Sequence, residues 1–388
     1  MNQRTRMALA TLSVGLLAAA CGGGSGSPGR LAARTDDAPK SADGGGSTDQ
    51  AAADVLDVAF VYIGPVGDAG WTKRHDDGAK SLEAALGDKV RVTRIENVPE
   101  GEESTAVFEK LASDGTDLIF GTSFGYMDPM LEVAADHPEV CFQHVSGYKS
   151  ADNMGNYFGA AEEARYLSGI VAARTSATGR LGYVAAFPIP EVIRGINAFT
   201  LGARSVNPAA TVEVAWTSTW FDPAVERAAA DGLLQGGVDV ITQHQDTPAT
   251  GEAALAHGAK WIGYNDDMNR FVPEAFLTSP MWDWGPHTIR TAEAVMEGTC
   301  PVEPYYGDMA DGTVTLAPFG VSVDGATKAA VETARAKIVG GTLLPFAGPI
   351  VDQAGVERYP AGAAPSLGDL LGMDYFVAGV VGTIPAEG

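Results

Sequence analysis

Basic residues are scarce in this chain: 26 Lys and Arg stand against 49 Asp and Glu, a formal net charge of −23. A phosphate backbone would be repelled, and no local run of Lys and Arg offsets the imbalance, so nucleic acid is excluded as a partner. Cysteine is scarcer still, with 3 in 388 residues. No paired C-x-x-C and no H-E-x-x-H occurs, and His75, Asp76 and Asp77 are helix neighbours that do not share a face, so no metal site is expected. The loop Gly64 to Gly70 is spaced G-x-x-G-x-x-G, with no Gly-Lys-Ser/Thr after it. That spacing argues against a dinucleotide or a phosphate, and no cofactor is expected.

What is present begins with location. Arg4 and Arg6 precede the apolar stretch Met7 to Ala20, which is too short to span a bilayer as a mature helix and reads as a secretory signal. Its exit, Leu17-Ala-Ala-Ala-Cys21, resembles the lipobox of bacterial lipoproteins, with Ala18 where Leu is usual. Residues 1–21 are therefore expected to be a signal, with Cys21 acylated and the protein held outside the cytoplasm on the cell membrane. Residues 22–56, rich in Gly, Ser, Ala and Asp, bury too little apolar surface to fold and are expected to be a disordered tether. The remaining Cys141 and Cys300 are open to two readings, a disulfide or two buried thiols.

From Leu56 onward, short apolar runs alternate with helical patterns. Strand-like runs are Asp57–Ile63, Val90–Ile95, Asp117–Gly121, Val140–Val145, Leu181–Ala185, Thr211–Trp216, Val238–Gln243, Lys260–Tyr264 and Ala275–Ser279. Between them, Ala164, Leu167, Ile170 and Val171 recur at helical spacing, as do Ala79, Leu82 and Leu86. This alternation is an α/β pattern with parallel sheets covered on both faces. The units exceed one doubly wound sheet, so two lobes follow, with breaks near Asn153–Gly159 and Gly263–Asp267. Lobe one is expected at 57–155 and 264–300, lobe two at 156–263 and 301–360, with 361–388 packing near the hinge. Ligand then belongs between the lobes, at the C-terminal edges of the strands.

Two kinds of signal lie at those edges. Gly121-Thr-Ser123-Phe-Gly125 is a literal G-x-S-x-G between a strand and a helix, the context of a hydrolase nucleophile, although no HGGG-type oxyanion segment precedes it. A secreted serine hydrolase using Ser123 is thus one alternative to a binding protein. The second signal is aromatic: Trp71, Phe124, Tyr126, Phe187, Trp220, Trp282 and Trp284 fall at or beyond strand ends. Facing rings can sandwich a flat heterocycle. Asp68, Glu191, His244, Asp246, Asn265, Asp266 and Asp267 fall at the same edges and suit ring N–H and amino groups.

The segments Gly67-Asp-Ala-Gly-Trp-Thr72, Asp117-Leu-Ile-Phe-Gly-Thr-Ser-Phe124, Glu163-Ala-Arg-Tyr-Leu-Ser-Gly169, Trp220-Phe-Asp-Pro223, Gly263-Tyr-Asn-Asp-Asp267 and Met373 to Pro385 occur in this order. Together they resemble the basic membrane protein family of substrate-binding lipoproteins of ABC transporters. The resemblance implies a type I periplasmic binding fold, two Rossmann-like lobes on a hinge, no enzymatic activity, a purine base or nucleoside as ligand and a membrane permease as partner. It also implies that Trp71 and Trp220 are the stacking rings and Asp267 a ligand-binding aspartate, with Asn265 as the first member of its Asp-x-Asp signature. Nucleoside-binding relatives carry a lysine after the Thr-Ser pair; here Pro280-Met-Trp282-Asp-Trp284 stands instead. That change points to a free base such as adenine, with Trp282 filling sugar space. The ligand set expected is Asp68, Trp71, Phe124, Tyr126, Phe187, Trp220, Asp246, Asp267 and Trp282, in a monomer. A sensor uncoupled from transport shares all these features.

Overall fold

The computed structural model describes residues 55–386. The expected signal, lipidated Cys21 and most of the tether lie outside the described residues. The first sheet begins with β1 (Leu56–Val61), α1 (Trp71–Leu86), β2 (Val90–Ile95), α2 (Glu102–Ser113), β3 (Leu118–Gly121), α3 (Met127–Asp136), β4 (Cys141–Val145) and β5 (Met154–Gly159). The chain then builds α4 (Ala161–Thr175), β6 (Arg180–Ala185), α5 (Pro190–Val206), β7 (Thr211–Trp216), α6 (Pro223–Gln235), β8 (Val240–His244), α7 (Ala249–Ala256), β9 (Lys260–Ile262) and β10 (Phe276–Thr278). It returns through β11 (Pro280–Trp282), α8 (Gly285–Met296), β12 (Tyr305–Gly307), β13 (Val314–Leu316) and α9 (Gly325–Val339). A small β14 (Ile350–Val351) and β15 (Glu357–Tyr359) hairpin, α10 (Leu367–Leu371) and β16 (Val380–Val381) close the chain.

These strands form two six-stranded sheets, ordered β12-β5-β4-β3-β1-β2 and β10-β9-β8-β6-β7-β16. All pairings within them are parallel. The near-continuous apolar runs follow from cover on both faces. In β1, Val58 and Phe60 join the core shared with Ala79 and Leu82 of α1, while Ala59 and Val61 face Phe108, Met130 and Val133 of α2 and α3. Likewise in the second sheet, Val184 and Ile241 meet Ala230 and Leu234 of α6, and Leu181 and Tyr183 lie with α4 and α5. The two-lobed parallel α/β architecture is the expected one.

Strand membership differs from the expected boundaries at three places. Asn153–Gly159, read as a break, contains β5 of the first sheet; β10 belongs to the second sheet; and β12 returns to the first. The signal of β5 is masked by glycine that close packing demands: a Cβ on Gly155 would lie 2.3 Å from the carbonyl oxygen of Pro301. The last segment packs on the second lobe rather than at the hinge. There β16 pairs with β7, and Asn197 of α5 donates to the carbonyl of Tyr375. Cys141, opening β4, and Cys300, following α8, are joined as a disulfide with Cα atoms 5.5 Å apart. No helix among the described residues is long and apolar enough to cross a membrane.

Candidate functional site

A cavity lies between the lobes, lined by Ile63, Trp71, Ser123, Phe124 and Ser146 on one side and Glu191, Trp220, His244, Asp246, Tyr264 and Asn265 on the other. Most of these stand at or just past the C-terminal end of a parallel strand, where the sheet edge leaves side chains free to converge, and Trp71, Glu191 and Trp220 lie in or after the loops that follow. The lobes meet beside it: Ala69 N–H donates to the carbonyl of Asp246 at 3.1 Å, and Arg74 of α1 pairs with Asp266.

On the first-lobe side Trp71 opens α1, and its indole N–H donates to the carbonyl of Thr122 at 2.7 Å, which fixes the ring. Asp68 stands before that helix and accepts from the N–H groups of Gly70, Thr72 and Lys73, capping α1. Gly70 passes so close to the opposite loop that a Cβ there would sit 2.6 Å from Asn265 Cβ. Ser123 donates to Glu100 at 2.6 Å, while His144 reaches only the backbone carbonyl of Ser123. Burial lowers the His144 pKa to about 4. No imidazole takes the Ser123 proton, so the G-x-S-x-G segment lacks the histidine base of a hydrolase triad.

The second-lobe side is a polar network. Arg165 of α4, fully buried, lies 3.6 Å over the ring of Tyr264 and approaches His244 Nδ1 at 3.4 Å. Since Arg can only donate, His244 carries its own hydrogen on Nε2 and gives it to Glu191 at 3.2 Å. Burial holds the His244 pKa down to about 4, so the ring is neutral. Asn265 donates from Nδ2 to Asp246 Oδ1 at 2.9 Å and accepts from the Trp282 indole at 2.8 Å. Burial, first of all, holds the Asp246 carboxyl well above its usual range, and Asp68 and Glu226 push it the same way.

Of the nine residues expected to contact ligand, the structure brings Trp71, Phe124, Trp220 and Asp246 to the cavity wall. Phe187 stands behind Trp220, with ring centroids 4.9 Å apart. Asp68 is close by, engaged in capping. Tyr126 turns away: the short 3₁₀ turn Phe124–Tyr126 rotates it into the core, where its hydroxyl donates to the carbonyl of Val98. Asp267 caps a second 3₁₀ turn through Asn269 N–H and does not line the cavity. Trp282 is fully buried behind Asn265, stacked on Trp284 at 4.9 Å, so it fills no space in the cavity itself. Ile63, Ser146 and Tyr264 were not singled out by sequence, although each lies within two residues of a strand end. Among the described residues no group of three His, Cys, Asp or Glu is placed to hold a metal ion.

Residues 55–338 match the family described as ABC transporter substrate-binding protein, PnrA-like. The chain belongs to this family. It is 46% identical over 330 residues, 85% of this chain and 94% of the relative, to a purine-binding protein of Brucella abortus. It is also 39% identical over 344 residues, 89% of this chain and 84% of the relative, to a Haloferax volcanii protein provisionally named an ABC transporter glucose-binding protein. In fold it is similar to an ABC transporter solute-binding protein from Aeropyrum pernix K1, with a TM-score of 0.67 and 21% identity over 76% of this chain and 94% of that one. Membership makes the chain a substrate-binding protein and not an enzyme. It takes a small molecule outside the cytoplasm and has a transporter permease as its partner.

Proposed function

We propose that this protein captures a purine in its interlobe cavity for delivery to an ABC importer, and that it prefers the free base to the nucleoside. The observation that carries the reading is the cavity wall, in which Trp71, Phe124, Trp220 and Tyr264 outweigh the polar groups left free. A sugar needs many directed partners for its hydroxyls. Here Ser123 is committed to Glu100, His244 to Glu191 and Arg165, and both ends of the Asn265 amide are taken. A flat heterocycle asks for less, since stacking on a ring contributes ~1–3 kcal/mol per base. The Brucella relative, named for purine binding, supports the same choice.

The preference for a base rests on Asn265. The resemblance gives this position to a carboxylate, which accepts both hydroxyls of a ribose diol; here an amide stands instead, its oxygen accepting from the Trp282 indole and its nitrogen donating to Asp246. Trp282 thus works against the sugar by occupying Asn265, not by filling the sugar's space. In this reading Cys21 carries a lipid anchor, residues 22–56 are the tether, the protein is a monomer, and the lobes close about the segments joining them. Thermal unfolding with adenine, hypoxanthine, adenosine, inosine and glucose tests the assignment. Ligand at a hundred times its Kd adds about 2.7 kcal/mol, a readily seen rise in Tm. A rise with bases above nucleosides is expected; a rise with glucose alone would overturn it.

A further inference from the structure

Asp246 is 7% exposed, lines the cavity, and has no cationic side chain among its hydrogen-bond partners. Beside burial, the groups that push its carboxyl up are carboxyls too: Asp68 from the loop after β1, Glu226 from α6 and Glu191 from α5. Four carboxyls cannot all ionise in one desolvated place, so the proton must be assigned. Burial pushes the Asp68 carboxyl up as well, but the three backbone N–H groups it accepts work the other way and favour its charged form. Glu191 accepts from His244. Glu226, whose pKa burial pushes up to about 7, accepts from the Thr247 hydroxyl. Asp246 has one side-chain partner, the amide of Asn265.

That amide cannot turn over. The indole of Trp282 can only donate, so it fixes Oδ1 of Asn265 toward itself and Nδ2 toward Asp246. Asp246 Oδ1 is therefore an acceptor already in use. Oδ2 makes no hydrogen bond among the described residues.

Resting on the purine reading above, we propose that Asp246 meets the ligand as a neutral acid. Its Oδ2 carries the proton and donates it to an unprotonated ring nitrogen, and Trp282, through Asn265, is the positioning residue that decides which oxygen holds it. The site would then select heterocycles that present a bare sp² nitrogen at that point and discriminate against ring cations and against analogues carrying C–H there.

Asparagine at this position is a fixed copy of the acid, with an acceptor for Asn265 and a donor for the ligand. Calorimetric titration with adenine should leave Asp246→Asn within about threefold of the wild type, while Asp246→Ala loses about 10–100-fold. If Asp246→Asn is as damaged as Asp246→Ala, the group is an ionised acceptor and the proposal falls; it falls equally if both bind like the wild type. The carboxylic-acid C=O infrared band at neutral pH, read as wild type minus Asp246→Asn, separates this from the purine assignment. Should no purine bind, that assignment fails, and the band alone decides: its presence sustains the proton on Asp246, and its absence removes it. Trp282→Phe keeps an aromatic ring, though a smaller one, and deletes the N–H, so the band should shift as Asn265 becomes free to turn. An unmoved band would strike Trp282 from the account.

Discussion

The two sides of the cleft are built from different chemistry. Behind Trp71 lies a pile of rings: His75 at 4.7 Å, Trp282 at 6.2 Å and Trp284 at 6.3 Å, continued by Tyr157 against His287 at 4.5 Å. Burial holds the His75 and His287 pKa values at about 3, so at neutral pH this pile is uncharged. Across the cavity, the second lobe buries charge. Arg165 donates to His244, which in turn donates to Glu191, Arg194 pairs with Glu162 at 3.3 Å, and Glu226 lies beneath Thr247. Packed rings give one wall a fixed shape, because their contacts are lost together if one moves. Linked polar groups give the other its choice of hydrogen-bond partner, because any mismatched partner is left unsatisfied in a dry place.

The comparison can be broken first where packing carries most. Trp71→Ala should cost about 3–5 kcal/mol of stability and ligand affinity as well, read by denaturant unfolding and titration. A variant that binds poorly but unfolds like the wild type would show that Trp71 is not part of the packed wall. Next, Cys141→Ser with Cys300→Ser frees the link between β4 and the segment before β12, whose ends are 159 residues apart. A loss of about 2–5 kcal/mol is expected, seen as a lower Tm that reductant no longer changes. Trp220 is only half-buried and backed by Phe187, so Trp220→Ala should weaken ligand by about 1–3 kcal/mol with little change in Tm. The opposite pattern would move it from the wall to the core.

The smallest effect sharpens the charged side. Burial pushes Glu226 from its ordinary 4.5 up to about 7, so the folded protein keeps a proton that the unfolded chain releases. This contribution is complete below about pH 4.5 and drains away as pH rises through 7. Glu226→Gln fixes the neutral form. Relative to the wild type it should gain about 1–3 kcal/mol between mildly acidic and mildly basic pH. A difference independent of pH would contradict the assignment.

Much of this was legible in the sequence, and the limits have physical causes. Strands covered on both faces announce themselves as apolar runs, and a position in the loop after such a run brings Phe124, Trp220 and Asp246 to the cavity, with Trp71 at the start of the helix that follows. Rotation at a strand end is not legible at that level. Tyr126 lies two residues beyond Phe124, and one 3₁₀ turn sends it to the core. Nor does sequence tell a carboxylate that lines the cavity from one that caps a turn, which separates Asp246 from Asp267. Partners on distant elements, such as Arg165 over Tyr264 and Trp282 behind Asn265, depend on how the segments cross between sheets. Those crossings are where the expected boundaries differed.

The most direct test of the whole account is a calorimetric titration of adenine and of glucose into the wild type and Trp220→Ala. The account predicts one adenine per chain, weakened about 5–150-fold in the variant, and no heat from glucose. Saturable glucose binding with none for adenine, or adenine binding indifferent to Trp220, would contradict it.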